Sequence, residues 1–220
     1  GKPNRCFITV QTMLKTHIDN KIIMTHDDFI GNIIHNSQNR YENQELEFIK
    51  NQWIQGAFID VWANVGNHTL CLSDIFDLVY AFEPSPENFW FLKMNMQLND
   101  IDNVIAYNCA VWHEEWNVGM TDNKNNMWAI KTEWGGNIPQ VTLDSIIEEM
   151  WETKPWLIKI DVEWKEIEVL KWAKKSIFRY RPCIMIENNN NWVRSYLEKN
   201  LWYEKVKSFH KSKNQFYIPY

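Results

Sequence analysis

Asp60, Glu83 and the pair Asp161 and Glu163 close three short apolar runs, "AFID", "LVYAFE" and "WLIKIDVE". A carboxylate at the end of a buried run can do two kinds of chemistry. Its two oxygens match the two hydroxyl donors of a diol, and Glu83, 23 residues beyond Asp60, has the spacing for that grip. Alternatively it can take the proton of a reacting hydroxyl within hydrogen-bond reach. Asp161 is the candidate base, with Glu163 orienting an acceptor beside it. His68 is the rival base, although a histidine there also suits capping or packing a helix. The turn between Asp60 and Asn67, "DVWANVGN", has one glycine, Gly66, and a tryptophan, Trp62, where a tight turn against a ligand calls for a residue without a side chain.

The elements that must position these residues follow from the hydrophobic pattern. From Ala57 onward, short apolar runs alternate with longer amphipathic segments, the grammar of βαβ units in a mostly parallel sheet. The expected strands are "AFIDV", "LVYAFE", "NVIAYNCAV", "WLIKIDVE" and "PCIMIE", followed by two β-like runs around "YEKVKSF" and "QFYIPY". Ser85 and Pro86 signal a capped helix start, and "KEIEVLKWAKKSIF" reads as one helix. Upstream, "CFITVQTML" and "KIIMT" predict a hairpin and "ENQELEFIKNQW" a helix. Residues 112–156 are too many for a simple crossover, and an insertion of that size covers or lines a site.

Composition narrows the function. With 23 basic against 28 acidic residues, a net charge of -5 supplies no field for nucleic acid. Cys6, Cys71, Cys109 and Cys183 form no CxxC pair, so buried reduced thiols are expected, and neither disulfides nor a metal site. No apolar run reaches the ~18 residues of a membrane span and the polar start is no signal peptide; the expectation is a soluble, cytoplasmic protein with no membrane partner. One class fails on its motif: "VWANVGN" lacks the GxGxxG fingerprint of a nicotinamide-dependent oxidoreductase.

Taken in order, "DVWANVGNHTL", "VYAFEPSPENFWFLKMNMQLN", "NCAV", "VTLDSI", "LIKIDVEWKEIEVLKWA" and "RPCIMIE" resemble the FkbM family of S-adenosylmethionine-dependent methyltransferases over Gly56 to Glu187. The resemblance implies an α/β, Rossmann-like methyltransferase fold. Its central sheet would be mostly parallel, with helices on both faces and an antiparallel C-terminal edge, spanning residues 56–220 after a hairpin-and-helix extension at 1–55. It implies S-adenosylmethionine as cofactor and O-methylation of a sugar or other small hydroxylated acceptor. Asp60, Trp62, Ala63, Asn64, Gly66 and Asn67 would lie under the methionine part, Glu83 and Pro84 at the ribose, and Asn108, Cys109 and Ala110 beside the adenine.

The chain departs from that pattern at glycines. Trp62, Trp164 and Trp172 stand where the family's first loop, its "KIDVEG" and its "LKGA" have glycine, and Trp112, Trp116 and Trp202 fall where glycine is natural. The totals agree: 7 glycines and 13 tryptophans in 220 residues, against about 7% glycine in ordinary usage. An indole at 62 or 164 crowds the expected pocket, so a non-catalytic binding protein on the same fold is the competing expectation.

Overall fold

The computed structural model describes residues 12–112, 117–121, 131–134, 137–149, 153–162, 165–187 and 191–220, with backbone alone for 117–121 and 131–134. Strands β1 (Met13–Ile18) and β2 (Lys21–His26) form a hairpin that turns at Asp19 and Asn20 with positive φ, but β1 shares only Met13 and Leu14 with the expected run "CFITVQTML" and continues through Thr16 to Ile18, which read as a polar separator and alternate exposed and buried instead. The upstream part of its first run lies outside the described residues. Helix α1 (Phe29–Ser37), for which the sequence offered no clear period, follows with Asp28 as its cap, the carboxylate accepting from Gly31 N–H at 2.8 Å. Helix α2 (Asn43–Lys50) is the one anticipated from Leu46, Ile49 and Trp53, but it ends before Trp53, which is exposed.

Then come β3 (Ala57–Val61), α3 (Asn67–Leu72), β4 (Leu78–Phe82), α4 (Pro86–Leu98), β5 (Val104–Tyr107), β6 (Ala110–Val111), β7 (Asn117–Thr121), β8 (Lys131–Trp134), β9 (Ile138–Val141) and α5 (Leu143–Glu149). The remainder is β10 (Pro155–Ile160), α6 (Glu166–Lys171), α7 (Lys174–Tyr180), β11 (Cys183–Glu187), α8 (Asn191–Tyr196), a π-helical turn (Leu197–Leu201), β12 (Tyr203–Ser208) and β13 (Asn214–Pro219). The main sheet runs β12-β13-β11-β10-β3-β4-β5, parallel from β11 to β5 and antiparallel at the β13 and β12 edge.

Side-chain alternation along β3 explains the two helix layers. Ala57, Ile59 and Val61 face one core with Leu143, Val169, Leu170 and Ile177 of α5, α6 and α7. Phe58 faces the other, with Leu46 and Ile49 of α2 and Leu70, Leu92 and Met96 of α3 and α4. Each fully buried aliphatic or aromatic side chain contributes about 1.5–3 kcal/mol, which holds the central strand from both sides.

Three expectations change in detail. "NVIAYNCAV" is two strands: β5 ends at Tyr107, and β6 leaves the main sheet to pair with β9 in a four-stranded sheet with β7 and β8. The insertion therefore carries strands of its own. The long helix after β10 breaks at Trp172 and Ala173, because Asp144 of α5 accepts from the backbone N–H groups of Lys175 and Ser176 (3.2 and 2.8 Å) and so starts α7 afresh. The last helix closes in a π turn, whose final carbonyls at Leu201 and Trp202 accept from Arg181.

The N-terminal hairpin is bonded to the main body. Asn95 of α4 and Asn99, its C-terminal cap, offer their amides to the backbone of Met24 and Ile22 as a strand edge would, and Lys21 donates to Leu70 O, Ser73 Oγ and Asp74 Oδ1 around the end of α3.

Candidate functional site

Strand order reverses between β3 and β10, and a ligand crevice opens there at the carboxyl ends. Beyond β3 the chain turns at once, with the N–H groups of Trp62 and Ala63 both donating to Phe82 O (2.8 and 2.9 Å). Three residues of the turn have positive φ: Trp62 at 70°, Asn64 at 54° and Gly66 at 94°. Gly66 is also closely packed: a Cβ there would meet the Cδ1 methyls of Leu70 and Leu92 at 2.6 and 2.7 Å, and both would have to shift. Asparagine tolerates the left-handed region, whereas Trp62 carries a cost of roughly 1–2 kcal/mol that glycine would not. Its indole is buried in the core shared by β3, β4 and β10.

The turn closes one side of a cavity of about 140 Å³, lined on the others by Tyr41, Glu42, Asn67, His68, Lys159 and Asp161. The structure brings Trp62, Ala63, Asn64, Asn67, His68 and Asp161 of the sequence candidates together on this cavity. Asp60 lies just beneath it, fully buried, with Oδ2 accepting from Thr69 Oγ1 at 2.7 Å and Oδ1 3.8 Å from Lys159 Nζ. Burial raises the Asp60 carboxyl, while Lys159 and Thr69 oppose the rise. Lys159 also reaches Asp161 at 3.2 Å; burial works against its charge, but Asp161, Asp60 and Glu42 together hold it above the usual lysine range. His68 stands 3.3 Å from Glu42, and burial, then Lys159 and Arg40, keep its imidazole well below the usual histidine range. Asn67 exchanges hydrogen bonds with the backbone of Tyr41, tying the start of α3 to the segment before α2.

Glu83 sits behind the turn. It is fully buried, and its two oxygens accept from Asn64 N–H at 2.7 Å and Ser85 N–H at 2.8 Å, so it shapes the loop directly. Burial raises its carboxyl to about 7, against the pull of those bonds. Asn108 donates to Glu83 O and Pro84 O (2.9 and 3.2 Å), bringing the ends of β4 and β5 together beside the buried Cys109 and Ala110. Cys71, Cys109 and Cys183 are free thiols, all raised by burial. Glu163 and Trp164 lie outside the described residues. No group of metal-binding side chains occurs among the described residues.

Sequence reasoning missed Tyr41, Glu42, Lys159, Glu187 and Ser212 of the cavity wall. Lys159 had a readable signal, a charged residue inside the buried run "LIKI", which needs partners to be there at all. Glu42 had none, because its place in the site depends on how the N-terminal segment packs.

The sequence profile described as the methyltransferase FkbM domain matches residues 60–209 of this chain. The chain belongs to the FkbM methyltransferase family. FkbM methyltransferases use S-adenosylmethionine, and the polar groups around the β3 turn fit such a ligand. The volume does not: about 140 Å³ is below the ~300 Å³ at which ligand pockets begin, and Trp62 is the bulkiest side chain on the wall. Among curated proteins, the hexuronic acid methyltransferase AglP of Haloferax volcanii is 30% identical over 115 residues, 51% of this chain and 47% of that protein. The chain thus spans about half the length of that relative. The FkbM methyltransferase of Methylobacillus flagellatus KT superposes with a TM-score of 0.52 at 18% identity, covering 77% of this chain and 45% of that one. The tRNA m1G37 methyltransferase of M. jannaschii gives 0.51 at 9% identity, covering 96% and 58%. At these identities both likenesses speak for the Rossmann-like fold alone.

Proposed function

We propose that this chain methylates a hydroxyl oxygen of a sugar or other small hydroxylated acceptor, with S-adenosylmethionine supplying an electrophilic methyl group. The observation that carries the reading is the meeting of the β3 turn and Asp161 on one cavity at the switch point of the sheet, in a chain of FkbM type. In this reading, with the space at residue 62 cleared, Asp60 to Asn67 would cradle the methionine end, Glu83 and Pro84 would stand at the ribose, and Asn108 to Ala110 would flank the adenine. Asp161 accepts the proton of the acceptor hydroxyl, and Lys159, bound to it at 3.2 Å, fixes its direction. Glu163 would orient the acceptor, and His68 is the alternative proton acceptor. A sugar acceptor is supported by the hexuronic acid named for the archaeal relative. A nucleic-acid acceptor is disfavoured by the net charge of -5. Among the described residues no helix is long and apolar enough to cross a membrane.

Calorimetric titration with S-adenosylmethionine, its demethylated product and NAD, followed by a methyl-transfer assay over a panel of simple sugars, tests the reading. Binding of NAD alone, or cofactor binding without transfer to any hydroxyl, would sink it. Asp161→Asn keeps the side chain's size and removes the base, so turnover should fall on the order of 10²–10⁴. Wild-type turnover in that variant would move the role to His68.

A further inference from the structure

The N-terminal segment brings a second carboxyl to the cavity. Glu42 stands at the start of α2 in left-handed backbone (φ 56°), buried, with Oε2 3.3 Å from His68 Nε2; neither atom has a hydrogen-bond partner elsewhere among the described residues. Asp161 and Lys159 face it from β10 and the residues after it, Glu45 from its own helix, His68 from α3 and the Asn214 amide from β13. Burial first, then Asp161, raises Glu42 to about 8, with Lys159 and Asn214 pulling the other way. Burial thus works against charge on both Glu42 and His68, which face each other across 3.3 Å. Lys159 is the only cation among the described lining residues, and it is engaged by Asp161 and Asp60.

We propose that Glu42 is a specificity residue of the acceptor site, which with Asp161 grips two neighbouring hydroxyls of an uncharged sugar. Both carboxyls accept and a vicinal diol donates twice, whereas an acceptor carboxylate would find like charge and no unengaged cation. This rests on the sugar-methyltransferase reading above and departs from the acidic sugar of the archaeal relative. The test compares a methyl hexoside with the matching methyl hexuronide, in this chain and with Trp62→Gly. The hexoside should show a KM at least about tenfold lower, a difference of about 1.4 kcal/mol. Glu42→Leu should raise that KM about tenfold while kcat changes less, the pattern of lost binding. Glu42→Gln, which keeps an N–H for His68 and a carbonyl for the sugar, should recover most of the loss. Preference for the hexuronide, an unmoved KM in Glu42→Leu, or Gln as damaging as Leu overturns the proposal while leaving the enzyme reading intact. Cofactor binding with neither sugar methylated overturns both.

Backbone conformation bears independently on residue 62. Trp62 and Trp202 both occupy left-handed backbone, at φ 70° and 58°, where a Cβ is strained and glycine is not. Trp202 does so at the residue that ends a helix, the place glycine most often fills, and is largely exposed. Trp164 and Trp172 stand in the motif slots "DVEW" and "LKWA", and tryptophans outnumber glycines 13 to 7. One codon, UGA, is read as tryptophan under some genetic codes and as glycine under others. We infer that Trp62, Trp164, Trp172 and Trp202 are encoded by UGA and that the source cell inserts glycine there, so that its own protein has an open pocket at residue 62. The gene should show UGA at these positions, and peptides of the protein isolated from its source cells should have the masses of glycine at all four. Trp62→Gly should tighten S-adenosylmethionine binding by at least about tenfold. UGG codons, tryptophan masses in the source protein, or equal affinity with and without the indole would each overturn the inference.

Discussion

Glu42 couples the site to the stability of the fold. Its carboxyl is raised from 4.5 to about 8 by burial first and by Asp161 second, so folding holds a proton that the unfolded chain releases. The sign follows from linkage: this group's stabilisation is complete below about pH 4.5 and is lost as pH rises through about 8. Glu42→Gln cannot titrate, so its urea midpoint should fall less between pH 5 and 8.5 than the parent's; parallel curves would show that Glu42 ionises at an ordinary pH. Glu83, raised to about 7, adds a slope of the same sign. Because both its oxygens accept backbone N–H groups, Glu83→Ala would orphan two donors, at about 1–3 kcal/mol each. Glu83→Gln is the cleaner probe: it should weaken cofactor binding with a smaller loss of melting temperature, and unchanged affinity in a titration would remove Glu83 from the ribose site. At this scale the sequence was legible where a strand pattern carried the residue. Asp60, Glu83 and Asp161 announce themselves by ending or interrupting apolar runs, whereas Glu42 reaches the cavity through a left-handed residue between two helices, a conformation for which its residue type gives no sign.

Elements were legible in proportion to their periodicity. The strands β3, β4, β10 and β11 were readable because strands buried on both faces become unbroken apolar runs. The break between α6 and α7 was not, since it is made by Asp144 from a distant helix capping the second of them. Nor was the departure of β6 from the main sheet, because two residues have no period to read. A hairpin was legible near the start from its β-rich runs, but the first strand lies later than its run, and the hairpin's attachment was hidden in single polar side chains. Lys21 is the clearest of these: buried, it donates to Leu70 O, Ser73 Oγ and Asp74. Lys21→Met keeps the aliphatic stem and removes these bonds, which should cost about 1–3 kcal/mol. The loss should appear as a lower urea midpoint and as faster amide exchange in the hairpin than in β3. Unaltered exchange there would mean that Asn95 and Asn99 suffice.

For the molecule as a whole, the resemblance read from ordered motifs gave the architecture correctly, because a doubly wound sheet distributes its signals along the entire chain. What the motifs could not convey is how unevenly the pairings are spaced. β3, β4 and β5 pair with their neighbours in sequence, while the other edge of β3 waits for β10, which arrives only after α4, the insertion and its small sheet. Loop closure over that distance is entropically late, and contacts near in sequence form first. The molecule should therefore fold in two stages, with the unit from Ala57 to Tyr107 acquiring protection in pulse-labelled hydrogen exchange before β10, β11 and β13. Simultaneous protection would instead indicate a nucleus that spans the β3–β10 seam. Since the cavity lies on that seam, Asp161 meets the turn after β3 only in the last stage. The chain is then committed to its fold before it has a place to hold a substrate, and a nascent or half-folded copy has no chemistry to misdirect.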